Sequence, residues 1–220
     1  MKNRMTGKKS PKPAEELTVC NPMGIKIGNC VSIDVSGFRG KQWRVTQVRA
    51  LDAKTNPGRR VRQRHFKCVE YALQCDDEKC FLRVWPDPNN SREWIVLLLT
   101  LRYDTPWDGD GQGITETCQS LSPDLDFRED NDAKGIHDQF WRVDDNPDSF
   151  MADVKVLEVM DGCDKVDARH CQYEYWDFWR NWKLEGVETV QYLYIETNQK
   201  TGWVQGKIGQ RIEPERVFVN

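Results

Sequence analysis

The apolar run Phe66-Lys67-Cys68-Val69-Glu70-Tyr71-Ala72-Leu73-Gln74, the polar break Asp76-Asp77-Glu78-Lys79 and the second run Cys80-Phe81-Leu82-Arg83-Val84-Trp85 decide the fold class. Both runs have strand length and are rich in aromatic and β-branched residues. The four polar residues between them have the composition of a hairpin turn. Outward from this pair the texture repeats. Upstream, Val31-Ser32-Ile33-Asp34-Val35 alternates at period two, as a strand with one buried face does. A turn at Ser36 to Gly40 leads to a strand over Gln42 to Leu51, and Asn56-Pro57-Gly58 turns the chain into the long run Arg60 to Gln74. Downstream, Pro86 to Asn90 breaks the chain before a strand over Glu93 to Leu101. Consecutive strands joined by short turns predict an antiparallel meander curled into a small barrel or sandwich.

From Asp104 to Asp132 the character changes to nine carboxylates and one basic residue, Arg128, without sustained periodicity. This stretch reads as an acidic linker or large exposed loop. Strand texture then returns at Asp153 to Met160, Ala168 to Phe178 and Thr189 to Thr197. Asn198 to Gly202 forms a hairpin loop that ends on a glycine in the left-handed region, and Trp203 to Gly206 and Arg216 to Val219 complete the series. Tyr175, Phe178, Trp179 and Trp182 stand at helical spacing, so a short amphipathic helix within Tyr173 to Leu184 is the competing reading there.

The expected fold is therefore mainly β, with two antiparallel meander segments joined by an acidic linker. The expected organisation is a basic arm over 1–24, a β-domain over 25–103, the linker over 104–135 and a second β-segment over 136–220. The two segments share a loose order of elements, with His65 to Tyr71 corresponding to His170 to Trp176.

Composition bounds the function. The 220 residues are 30% charged with a formal net charge of −3, ordinary for a folded domain and too balanced for general nucleic-acid affinity. The longest apolar run, Trp94 to Leu99, is strand-sized and far short of a membrane span. The basic N-terminal arm has no apolar core of a signal peptide, so a cytoplasmic location and eight reduced cysteines are expected.

The order Ile27-Gly28, Trp43-Arg44-Val45, Val69-Glu70-Tyr71-Ala72-Leu73 and Phe81-Leu82-Arg83-Val84 resembles an uncharacterised bacterial family of small all-β domains. Its pattern runs Gly-Asp, Tyr-Arg-Val, Trp-x-Glu-Tyr-x-Leu and Trp-Leu. The resemblance covers residues 25–101 and departs from the pattern at Asn29 and Cys68. It implies a fold and no activity.

Charge is segregated within this balance. Arg39 to Lys67 holds ten Lys or Arg residues against one acid, Asp52. On a strand, Arg60, Arg62 and Arg64 share a face, and with Arg59 they form a candidate polyanion-binding stripe. The alternatives are a solvated face, or one neutralised by the acidic linker. Tyr175, Trp176 and Trp179 are candidates for an aromatic platform, or for core.

His65, Cys68, Cys75 and Cys80 contain enough soft ligands for zinc but lack a familiar spacing, and Asp108 to Gly113 imitates the start of a calcium loop without its twelfth-position glutamate. No cofactor motif is present, and no metal or cofactor is expected. A non-catalytic binding or scaffold module that meets an acidic partner, protein or nucleic acid and not a membrane, is the expected function. The alternative is a metal-dependent nuclease using Asp124, Asp153 and Lys155.

Overall fold

Alternating and doubly apolar runs have to bury their inward faces against one another, and the chain does so by closing a sheet into a ring. The structure, a computed structural model, describes residues 23–55, 65–87, 89–90, 93–120, 124–126, 139–142, 149–159, 166–184 and 187–220. These residues are mainly β. The strands are β1 (Cys30–Ile33), β2 (Trp43–Thr55), β3 (His65–Cys75), β4 (Glu78–Pro86), β5 (Trp94–Pro106), β6 (Asp124–Asp126), β7 (Gln139–Arg142), β8 (Phe150–Val159), β9 (Val166–Leu184), β10 (Val187–Asn198), β11 (Trp203–Ile212) and β12 (Val217–Val219). Among the described residues one α-helix, α1 (Gln112–Gln119), follows a kinked turn at Trp107–Gly111, and a short 3-10 helix spans Pro214–Arg216. No described helix is long and apolar enough to cross a membrane.

All strands belong to one antiparallel sheet ordered β12-β1-β2-β3-β4-β5-β11-β10-β9-β7-β6, and β8 bridges β2 and β9. That bridge closes β2-β3-β4-β5-β11-β10-β9-β8 into a ring of hydrogen bonds. Each half of the chain contributes a four-stranded meander to it. The meanders meet first strand to first, Ala50 opposite Lys155, and last to last, Ile208 opposite Thr100. Exchanging the halves therefore maps β3 onto β9, the strands that carry the two similar stretches seen in the sequence.

The ring has two covered faces and a filled lumen, as an eight-stranded barrel allows. Leu51, Phe81, Leu97, Leu99, Val154 and Tyr194 are among the buried residues that face inward. Outside β2 to β5, Trp43, Tyr71, Leu73, Leu82 and Val96 pack beneath the N-terminal segment of Ile25, Val31 and Ile33. Outside β9 to β11, Trp176, Phe178, Leu193 and Ile195 pack with Phe140 of β7 and Cys118 of α1. Both surfaces of most ring strands are thus buried. This explains why Cys80 to Trp85, apart from Arg83, reads as continuously apolar instead of alternating.

The ambiguity at Tyr173 to Leu184 resolves as strand. Every residue from Tyr173 to Leu184 pairs with β10, and the aromatic rings divide between the two sides of the sheet. The acidic stretch contributes local structure too. Asp104 to Pro106 finish β5, and α1 buries Thr115 and Cys118. Arg142 donates from Nη2 to the carbonyls of Cys118 at 2.8 Å and Ser120 at 2.5 Å, which stops the helix. Gly202, at φ +68, closes the β10–β11 hairpin in the left-handed conformation expected there.

Candidate functional site: an ionic network in the barrel lumen

Five charged side chains meet inside the ring: Arg49 of β2, Glu70 of β3, Arg83 of β4, Glu196 of β10 and Lys207 of β11. None is more than 3% exposed. Register brings the first three together, with Arg49 opposite Glu70 and Glu70 opposite Arg83.

A β-bulge decides which way Arg49 points. The pairing slips between Val45 and Gln47, so that Val45 opposes Leu73 while Gln47 opposes Ala72. Trp43, Val45 and Val48 then all face the outer core, and Arg49 turns inward. Strict alternation from Trp43 and Val45 would have put Arg49 on the outer face.

The contacts form one connected set, in which only Arg49 Nε and Arg83 Nη1 are buried without a hydrogen-bond partner. Arg49 donates to Glu196 with both terminal nitrogens, at 2.7 and 3.0 Å, and to Glu70 Oε1 at 2.8 Å. Arg83 grips Glu70 Oε2 through Nε at 3.0 Å and through Nη2. Lys207 Nζ donates to Glu70 Oε1 at 2.7 Å and Glu196 Oε1 at 2.8 Å. Charge-assisted bonds of this kind hold both carboxylates ionised. Burial alone would raise the Glu70 carboxyl, but Lys207, Arg83 and Arg49 together hold it well below the usual carboxylate range. Glu196 is lowered against its own burial by Arg49 and Lys207. Lys207 is lowered by burial and by the neighbouring guanidinium of Arg49.

Three cations against two anions leave one positive charge in excess. Aromatic faces line the cations: Arg49 lies 4.7 Å from the Tyr173 ring, Arg83 4.5 Å from Tyr194 and 5.1 Å from Tyr175, and Lys207 4.4 Å from Phe81. Ring quadrupoles present negative potential to these cations and offset part of the excess. Cys68, in the same lumen, has its thiol pushed up to about 12 by burial. A group so protonated is a poor nucleophile. The network binds itself, and its chemistry is that of a rigid internal brace.

The residues singled out in the sequence lie elsewhere. Arg59, Arg60, Arg62 and Arg64 fall outside the described residues. Tyr175 points into the lumen and Trp176 into the opposite, outer core, each no more than 2% exposed. Trp179 is half-buried against Trp141, with ring centroids 5.4 Å apart, and donates from Nε1 to the Arg142 carbonyl at 3.2 Å. The three aromatic candidates are not brought into one surface. Cys68 faces the lumen while Cys75 and Cys80 sit in the outer core, and the His65 side chain lies outside the described residues. Among the described residues no group of three or more His, Cys, Asp or Glu is placed to hold a metal ion.

Asp108 and Asp110 are exposed in the kinked turn before α1. Asp153 is exposed on β8 and accepts a hydrogen bond from Gln172 at 3.2 Å. The Asp124 backbone belongs to β6, and both β7 and β9 separate it in the sheet from β8. The side chains of Asp124 and Lys155 lie outside the described residues.

The ionic network itself escaped the reading of the sequence, although a signal was present. Glu70 and Arg83 each interrupt an otherwise apolar run. A single charge in a strand buried on both faces needs a buried partner. No family model, curated protein or solved structure matches this chain. The functional reading therefore rests on the residues themselves.

Proposed function

We propose that the chain is a non-catalytic binding module that meets an acidic partner, protein or nucleic acid, through the basic segment containing Arg59, Arg60, Arg62 and Arg64. The observation that carries this reading is where the neighbouring cations are used. Arg39 pairs with Asp34 at 2.5 Å, Lys41 with Glu78 at 2.6 Å and Lys67 with Asp52 at 3.3 Å, while Arg49 is sealed in the lumen. Among the described residues these partners come from the barrel and its N-terminal segment. Of the other cations in residues 39–67, Arg44 is exposed on β2, and the side chains of Lys54, Arg59, Arg60, Arg62 and Arg64 lie outside the described residues. Guanidinium forks suit carboxylate and phosphate groups bidentately. The internally braced lumen supports a scaffold role for the barrel.

The test is titration of fluorescent heparin and single-stranded DNA with the wild type and with a variant in which all four arginines are Gln. The wild type binds with an affinity that falls steeply as salt rises, because neutralised phosphates release counterions. The variant keeps its far-UV spectrum and loses binding by roughly tenfold or more. Equal binding by the variant, or no binding by the wild type at low salt, overturns the proposal.

A further inference from the structure

We infer that the sheet face carrying Trp141, Trp179 and Tyr192 binds a small alkylated-ammonium molecule of the choline type, at a site separate from the basic segment. The ring opens at this point. β8 lies between β2 and β9 only as far as Phe150, which stands opposite Thr55 on one side and Tyr175 on the other. Further along β9 its neighbour is β7, whose other partner among the described residues is β6 instead of β2. The inner surface of the sheet therefore runs out of the lumen as an open face.

Register puts the three rings on that one face. Trp141 of β7 stands opposite Trp179 of β9, and Trp179 opposite Tyr192 of β10. The pairing of β9 with β10 runs without a slip, so Trp179 shares the side of Tyr175, and Tyr192 packs against the same lumen cluster. Phe140, Trp176 and Phe178 take the opposite side, in the outer core. Asp177, two positions before Trp179, shares its face, and Asp124 of β6 is the register partner of Trp141.

The aromatic surface is formed in advance. Trp179 donates from Nε1 to the Arg142 carbonyl at 3.2 Å, its ring lies 5.4 Å from that of Trp141, and Tyr192 stacks on Tyr194 at 6.2 Å. Trp141 is nonetheless 39% exposed. Elsewhere the protein lays its own Lys and Arg side chains over the rings of Trp43, Phe81, Phe140, Tyr173 and Trp182. Among the described residues no cation lies over Trp141, Trp179 or Tyr192. A rigid surface of this kind binds without a further ordering cost.

The surface selects the charge of its occupant. Ring faces present negative potential, and Asp177 adds a carboxylate to the same face, so a cation is favoured. With its Nε1 committed to the Arg142 carbonyl, the Trp179 indole offers a face and no hydrogen bond. An alkylated ammonium has no N–H groups to satisfy, whereas the three donors of a lysine-type ammonium would lose strongly held water. At Trp141 and Trp179 both edges of β7 and of β9 are paired. Neither strand is open there to an added peptide strand, which favours a small molecule over a methylated-lysine peptide.

Titration of the full, 15N-labelled chain with choline, followed through its indole N–H signals, tests the assignment. The Trp141 and Trp179 signals, identified by their loss in single variants, move saturably at millimolar choline. 3,3-Dimethylbutan-1-ol, the uncharged carbon isostere of choline, binds at least tenfold more weakly. Trp141→Ala weakens choline binding by about tenfold or more, Trp141→Phe and Asp177→Asn by about threefold each. Trp182→Ala, on the opposite face, leaves it unchanged. Urea midpoints identify folded variants; should Trp141→Ala not fold, Trp141→Phe and Asp177→Asn decide. Four results overturn the proposal: no saturable shift, equal binding of the neutral isostere, folded Trp141 and Asp177 variants that bind as the wild type does, or a trimethyllysine peptide that binds tenfold tighter than choline. Heparin binding by the four arginines is read separately, so either proposal can fail alone.

Discussion

Lys207 Nζ donates a hydrogen bond of 2.7 Å to Glu70 Oε1 across 137 positions of sequence, joining β11 of one meander to β3 of the other. Both side chains are fully buried, and Glu70 also takes Arg49 and Arg83. The two halves of the chain are therefore tied through the lumen as well as by the hydrogen bonds of the ring. A network of this kind is costly to break from one side. Removing one partner leaves buried charges without compensation, whereas removing a surplus charge need not.

That asymmetry gives the first expected outcome. Glu70→Gln leaves three cations against one anion and lowers stability by roughly 3–5 kcal/mol. Lys207→Met leaves Arg49 and Arg83 balanced by Glu70 and Glu196, and costs less than half as much. Urea denaturation of both variants measures the difference. Equal losses would show that charge balance does not organise the lumen.

Acid stability follows from the same carboxylates. Glu70 and Glu196 are lowered in the folded protein, so the unfolded chain binds more protons between the two pKa values. Their contribution is complete above the unfolded value of about 4.3 and is lost as pH falls through the lowered folded values. Wild-type stability should therefore decline more steeply than that of Glu70→Gln below about pH 4. Denaturation midpoints across an acid series check this, and parallel curves would contradict it.

At alkaline pH the sign reverses. Burial raises the Cys68 thiol to about 12, so the unfolded chain ionises first. The contribution is complete below the unfolded value of about 8.5 and disappears as pH rises towards the folded one. Cys68→Ala removes that part of the decline. Comparison of wild-type and variant stability over the alkaline range measures it, with a common slope as the opposing result.

Gly209 tests the closure between β5 and β11. A Cβ there would stand 1.9 Å from the Leu98 carbonyl oxygen and 2.7 Å from Leu99 Cα, both backbone atoms that cannot swing aside. Gly209→Ala should cost about 2–3 kcal/mol or more through forced backbone movement. At Gly202 the nearest foreign atom is 3.4 Å away and the penalty is the positive φ alone, so Gly202→Ala should cost about 1 kcal/mol. Thermal denaturation ranks the two, and the reverse order would sink the argument.

Arg142 holds the end of α1. Its donation to the carbonyls of Cys118 and Ser120 satisfies acceptors that no helical N–H reaches. Arg142→Met should lose about 1–3 kcal/mol and speed amide exchange over Gln112–Gln119 more than over β3 or β4. Hydrogen exchange resolved by mass spectrometry gives the answer, and uniform acceleration across the chain would refute a local role.

Local chemistry determined the β class, the hairpins around Asp76 and Gly202 and the strands from Val31 to Leu101. Turn residues and apolar alternation act over a few residues and need no distant partner to be read. Closure of β5 on β11 and of β2 on β8 was decided by tertiary structure. A period of two says which residues share a face, but not which distant strand supplies the next edge. The ionic network was hidden for a related reason. Arg49 stands in a run of basic residues that reads as one solvated group, and only the slip between Val45 and Gln47 turns it into the lumen. Glu196 and Lys207 look like ordinary strand charges until β10 and β11 bring them to Glu70 and Arg49. Charge identity is local, whereas burial and pairing belong to the whole ring.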